Sequence, residues 1–135
     1  MTERRIVETT FYVRYAETDQ MGVVHHAEYI VWFEEGRSAW IRALGSNYAE
    51  FEASGLYLTV IEVFARYLAP ARYGRQVTVR TWREELRSRT VKMGYEVVDT
   101  ETGQRLVTGY TEHACTDHQG NLVRIPEQWR QLLAG

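Results

Sequence analysis

From about Ala27 the apolar side chains of this sequence recur at helical spacing, and they keep it up for four turns. Ile30, Phe33, Arg37, Trp40 and Leu44 fall on one face, and Gly45 supplies the usual end signal. Beyond Gly55 the period changes. Residues 57–68, 75–86, 89–99 and 104–116 alternate or cluster β-branched and aromatic types. Thr100-Glu101-Thr102-Gly103 and Asp117-His118-Gln119-Gly120 read as turns between them. Strands joined by short turns are antiparallel by geometry. A helix with one apolar face and a sheet with one apolar face must bury them together. The chain is therefore predicted to be α+β, with its long helix on one side of an antiparallel sheet.

Smaller elements complete the layout. Residues 5–15 read as a first strand, broken at Glu17-Thr18-Asp19-Gln20-Met21-Gly22. Asn47 and Glu50 form a capping pair for a short second helix that ends before Gly55. Pro126 suits the first turn of a closing helix over 126–133. No repeat, linker or low-complexity tract interrupts the 135 residues, so one domain over 1–135 is expected. The second sheet face and the sheet edges need cover, for which oligomerisation is a common solution.

Charge narrows the function. Eighteen acidic and 16 basic side chains leave a net charge of −2, which argues against a general nucleic-acid binder. All the basic residues but Lys92 are Arg, and they are unevenly spread. Residues 72–92 carry Arg72, Arg75, Arg80, Arg83, Arg87, Arg89 and Lys92 against Glu84 and Glu85, a net of +5. Residues 17–62 carry eight acids against Arg37 and Arg42, a net of −6. A basic hairpin at Arg87-Ser88-Arg89-Thr90 suits a phosphate-bearing ligand. A solvated strand face, or pairing with the acidic half, accounts for the same residues. The single Cys115 excludes an intrachain disulfide framework and fits a reducing cytoplasm. Met1–Ile6 has no apolar core of the signal-peptide kind. The longest apolar run, Tyr29-Ile30-Val31-Trp32-Phe33, is far too short to span a bilayer.

The segment from Tyr15 to Tyr29 joins the first strand to the long helix and is the first candidate for chemistry. A helix start presents unpaired N–H groups and a partial positive charge, suited to a developing oxyanion. Asp19 lies seven residues before His26, placed either as a base or nucleophile or simply as a turn former before Gly22. Adjacent His25 and His26 point in different directions and make a poor chelate, so no metal is expected. His113 and His118 read as structural or solvated. Glu34-Glu35 reads as a surface charge pair with Arg37 and Arg42, or else as a helix base facing a cleft. Cys115 reads as a core residue.

This segment also carries a resemblance. Arg14-Tyr15-Ala16-Glu17-Thr18-Asp19-Gln20-Met21-Gly22-Val23-Val24-His25-His26-Ala27-Glu28-Tyr29 and Phe33-Glu34-Glu35-Gly36-Arg37 resemble the 4-hydroxybenzoyl-CoA thioesterase family. The nearest branch is that of the bacterial short acyl-CoA thioesterases associated with the Tol–Pal cluster. Arg66-Tyr67-Leu68-Ala69-Pro70-Ala71-Arg72-Tyr73-Gly74 is similar to the family's second marker. The resemblance implies a hotdog fold, a long central helix wrapped by a curved antiparallel sheet. It implies a cytoplasmic homodimer pairing into a homotetramer, with active sites at the dimer interface and no cofactor. It implies Asp19 as the catalytic carboxylate and the His26 N–H as the group that polarises the thioester carbonyl, with the His26 imidazole also in the site. The 4-hydroxybenzoyl enzyme has Tyr at that position. The CoA end would fall to Arg87 and Arg89, with hydroxyls from Ser88 and Thr90 and a further candidate in Arg124. Tyr29, Phe33, Leu58 and Val60 are candidates to line the acyl site. The implied activity is hydrolysis of an acyl-CoA thioester. An acyl carrier protein as thiol carrier, Glu35 in place of Asp19, and a non-catalytic acyl-CoA-binding module are the other readings.

Overall fold

The computed structural model describes residues 5–135. Residues 1–4, part of the segment read as having no signal-peptide core, lie outside the described residues. In chain order the elements are β1 (Ile6–Tyr12), a 3-10 turn (Tyr15–Glu17), α1 (Glu28–Ala43), α2 (Tyr48–Ala53), β2 (Leu56–Tyr67), β3 (Gln76–Leu86), β4 (Thr90–Asp99), β5 (Arg105–Asp117) and α3 (Glu127–Ala134). The strands form one antiparallel sheet in the order β1-β3-β4-β5-β2. The hairpins β3–β4 and β4–β5 make its centre, and β1 and β2 are left as its edges. The α+β layout read from periodicity is the one found.

Three details depart from the sequence reading. The first strand ends at Tyr12, short of residue 15. Beyond it the Glu17 side chain captures the Arg14 N–H at 2.8 Å, so the chain turns instead of pairing onward. The buried stripe of α1 runs through Tyr29, Trp32, Phe33, Gly36 and Trp40, to one side of the predicted face. Arg37 therefore sits on the flank of the stripe, where its guanidinium donates to Tyr95 Oη at 3.1 Å. Asn47 caps α2 by accepting the Glu50 N–H at 3.0 Å, but Glu50 does not reciprocate within that box. Its carboxylate accepts the Ser46 hydroxyl at 3.0 Å instead.

Large rings on α1 fill the space over the sheet. Trp32, Phe33 and Trp40 are buried against Val77, Val79, Val97 and Val107. Phe33 stacks on Tyr95 with centroids 4.4 Å apart. Gly36 lets the helix approach β3 closely. A Cβ there would lie 2.7 Å from Val79 Cγ1 and nearer still to Thr81 Oγ1, too close for any side chain. Cys115 is fully buried, as read.

The edge strand β2 is the exception to this burial. Val60, Ile61, Val63 and Phe64 are all exposed, Ile61 at 56%. An edge of that length, apolar and unpaired on its outer side, is a template for another chain.

Candidate active site

The loop between β1 and α1 folds as a small hairpin on the sheet end. Its two sides are bridged at Thr18 and Val24, and Val23 bridges to Arg72. Asp19 N–H donates to Val23 C=O at 2.9 Å, and Gly22 N–H returns to Asp19 C=O at 3.0 Å. Gly22 takes φ +77°, which the tight return requires. Asp19 is exposed, and its Oδ1 accepts the N–H groups of Met21 at 2.8 Å and Val23 at 3.4 Å. The turn-forming role of Asp19 is thus present. It uses one carboxylate oxygen and leaves the carboxylate at the loop surface.

The loop rests on Glu17, which the sequence reading passed over. Glu17 is 3% exposed. Its carboxylate accepts the Arg14 N–H at 2.8 Å, the Arg14 guanidinium at 3.3 Å and Trp32 Nε1 at 2.7 Å. Burial pushes this carboxyl up, but the hydrogen bonds and the Arg14 charge outweigh it and hold it below the ordinary range. The Glu17 carbonyl accepts the His25 N–H at 2.9 Å. A signal was present in the sequence: an acidic residue three positions after Arg14 is a capping-box spacing.

His25 and His26 divide the work of starting α1. His25 Nδ1 accepts the Ala27 N–H at 3.3 Å, and its carbonyl accepts the N–H of Glu28, the first residue of α1, at 2.9 Å. The two rings lie 4.3 Å apart, centroid to centroid. The His26 C=O accepts the Tyr67 hydroxyl at 2.9 Å. Among the described residues the His26 N–H has no acceptor. His26 borders an open cleft of about 330 Å³, lined also by Val24, Tyr29, Tyr67, Leu68, Ala69 and Pro70. Tyr29 is buried, and its hydroxyl accepts the Ala71 N–H at 2.9 Å. Burial raises its phenol above the usual value, so it serves as a wall of the cleft.

The other residues singled out as lining lie elsewhere. Phe33 is sealed under Tyr95, and Val60 is on the outer edge of the sheet. Leu58 packs among Ile41, Leu44, Phe51 and Trp129, at the opposite end of α1. The cleft is instead built from Tyr67–Pro70, within the second marker. Glu35 opens on a different cleft, of about 250 Å³, with Phe11, Tyr12, Arg14, Val31 and Trp32.

Arg87, Ser88, Arg89 and Thr90 form the β3–β4 turn, where Arg87 N–H donates to Thr90 C=O at 2.8 Å. Ser88 C=O accepts the Ile125 N–H, and Arg89 C=O accepts the Cys115 N–H. Arg124 therefore lies beside this turn, as does Arg130, which donates to Arg87 C=O at 2.6 Å. Four arginines share one end of the molecule. Arg87 also pairs with Glu85 at 2.7 Å, which raises its pKa. The Asp19 loop lies at the other end, because Val13 donates to Arg75 C=O where β3 begins. Eleven residues of strand separate the two, roughly 30 Å. Within one chain the turn and the Asp19 loop are not brought together.

An exposed carboxylate on a fixed loop, a helix start with an N–H unengaged among the described residues, and an apolar cleft beside it are groups of the kind that acyl transfer uses. Comparison with known proteins gives the family. The sequence pattern of the thioesterase-like superfamily matches residues 13–133, and the chain belongs to that superfamily. Its architecture is the hotdog fold. The chain is 38% identical to YneP of Bacillus subtilis (strain 168), whose acyl-CoA thioesterase name is provisional, over 107 residues, 79% of this chain and 77% of YneP. It is 27% identical over 89 residues, 66% of each protein, to the acyl-CoA thioester hydrolase YbgC of Escherichia coli O6:H1. The crystal structure of DHNA-CoA thioesterase from Staphylococcus aureus superposes with a TM-score of 0.90 at 32% identity, covering 96% of this chain and 89% of that one. Among the described residues, no helix is long and apolar enough to cross a membrane.

Proposed function

We propose that this protein hydrolyses an acyl-CoA thioester to the free acid and CoA. The observation that carries the reading is the His26 N–H. It stands at the start of α1 beside the cleft, without an acceptor among the described residues, and the loop that bears Asp19 returns directly to it. The thioester carbonyl oxygen would lie against that N–H, with the acyl group in the cleft walled by Tyr29 and Tyr67. The His26 imidazole is at the same mouth.

Asp19 has two routes. It attacks the carbonyl carbon, the C–S bond breaks with loss of the CoA thiolate, and water then cleaves the mixed anhydride. Alternatively it takes a proton from water as the water oxygen adds, and returns that proton to the departing thiolate. Both routes place negative charge on the same oxygen, so both use the same donor. Labelled water oxygen found in Asp19 after a single turnover would support the first route, with water adding to the Asp19 carbonyl of the anhydride.

The CoA phosphates would be held by Arg87 and Arg89, with Ser88, Thr90 and Arg124 around them. With roughly 30 Å of strand between that turn and Asp19, the arginines that serve one site belong to a second subunit. The exposed apolar edge of β2 supports such a homodimer, one domain per subunit, and two dimers would give the homotetramer. Its place is the cytoplasm.

A panel of acyl-CoA and acyl-carrier-protein thioesters, read with a thiol-reactive dye, tests the reading. Thiol release from at least one acyl-CoA is expected. Tight binding without release would make the protein a binding module, and release from the carrier protein alone would change the thiol carrier.

A further inference from the structure

The buried Glu17 touches all three parts that must agree if Asp19 and the His26 N–H are to face one carbonyl. Its carboxylate holds the end of β1 through the Arg14 N–H and the body of α1 through Trp32 Nε1. Its carbonyl holds His25, the residue before the donor. Asp19 comes two residues later on the same side of the small hairpin. Removing a carboxylate from water is costly, and a buried ion pair is weak evidence for stability. An apolar side chain would fill this volume with less desolvation. It could not fix a strand end and a helix to one point.

We infer that Glu17 is a positioning residue for the thioesterase site, setting the geometry between the Asp19 carboxylate and the His26 N–H. This rests on the proposed assignment of those two groups to the thioester carbonyl. Glu17 acts on the reaction through the frame it holds, and it touches no substrate. Three donors converge on its two oxygens. In Glu17→Gln one oxygen becomes an NH2 group that must face a donor, so the frame loosens with almost no change in volume. In Trp32→Phe one of the three donors is removed and the carboxylate stays.

The test is steady-state kinetics of acyl-CoA hydrolysis for the wild type, Glu17→Gln and Trp32→Phe, with cooperative thermal unfolding checked for each. Misplacement of reacting groups by a fraction of an ångström to an ångström costs up to about 100-fold in rate. Glu17→Gln is expected to lower kcat about tenfold or more with KM within about twofold, and Trp32→Phe to lower kcat by a smaller factor in the same pattern. Wild-type kcat in Glu17→Gln overturns the inference, and so does a loss carried by a raised KM. If Glu17→Gln does not unfold cooperatively, Trp32→Phe decides: a kcat loss supports positioning, and wild-type kcat overturns it. Asp19→Asn, measured alongside, separates the two levels. An inactive Asp19→Asn with a fully active Glu17→Gln removes this inference alone. An active Asp19→Asn removes the reading on which it rests.

Discussion

Tyr67, the last residue of the edge strand β2, donates its hydroxyl to the main-chain carbonyl of His26 at 2.9 Å. The sheet edge and the start of the long helix are thereby tied at the mouth of the cleft. That bond fixes the peptide after His26, next to the one whose N–H is assigned to the thioester carbonyl. Tyr67 also packs edge-on against Tyr29, with centroids 5.4 Å apart, so the ring stays even if the hydroxyl goes.

Tyr67→Phe should therefore leave folding intact and weaken catalysis. A single neutral hydrogen bond contributes about 0.5–1.5 kcal/mol, which corresponds to a kcat loss of roughly twofold to tenfold. Steady-state kinetics with unchanged thermal unfolding checks this. An unaltered kcat would mean that the His26 peptide is held by the helix alone.

Arg87→Ala and Arg89→Ala should raise KM for acyl-CoA by about tenfold each while changing kcat less, since a hydrogen bond to a charged group contributes about 1.5–3 kcal/mol. The Arg87–Glu85 pair is solvent-exposed, and exposed pairs contribute little, so thermal stability should hardly move. Added salt should weaken substrate binding by the wild type more than by the double variant. An unchanged KM would return both residues to a solvated strand face.

Stability should fall with acid in two stages. His113 is 1% exposed, bonded to the Thr111 hydroxyl through Nε2 at 2.8 Å. Burial, helped by the Arg37 charge, lowers its pKa from 6.5 to about 4. Between those values the unfolded chain takes up a proton that the folded chain does not, so this contribution is complete above about 6.5 and is lost as pH falls to about 4. It amounts to on the order of 3 kcal/mol. Asp99 comes next: hydrogen bonds from Arg75 hold its carboxyl at about 2, against 3.8 ordinarily, so its share is lost between those values. Denaturant unfolding from pH 7 to 3 should show the first limb in the wild type, and His113→Asn should flatten it. A flat wild-type profile between pH 6.5 and 4.5 would contradict the assignment of His113 as a neutral buried ring.

The parts of this fold with local causes were legible in the sequence, and the parts that depend on long-range partners were not. The end of α1 before Gly45, the cap at Asn47 and the turns at 100–103 and 117–120 each arise from residues within a few positions. The buried stripe of α1 lies to one side of the face that spacing predicts, because Arg37 holds a position on that face without being part of the apolar stripe. Its guanidinium finds Tyr95, 58 residues away, and no local pattern encodes that. The same limit hid the cleft. Tyr67–Pro70 stood in plain view, but only the return of β2 beside the start of α1 makes them its wall. Leu58 and Val60 lie away from this cleft, because facing along a strand reverses with each residue and β2 carries a register shift between Val60 and Glu62. Arg87 and Arg89 were legible as a basic turn. Their separation from Asp19 required the sheet topology.

Asp19→Asn asks whether the Asp19 carboxylate acts on the thioester beside the His26 N–H. Asp19→Asn keeps an oxygen able to accept the Met21 and Val23 N–H groups, so the loop should stand and acyl-CoA should still bind. The measurement is kcat for the best substrate of the acyl-CoA panel, together with ligand binding by the same variant. A loss on the order of 100-fold or more with binding retained is the expected result. Turnover near the wild-type rate would mean that Asp19 is not the reacting carboxylate and would point to Glu35 and its separate cleft.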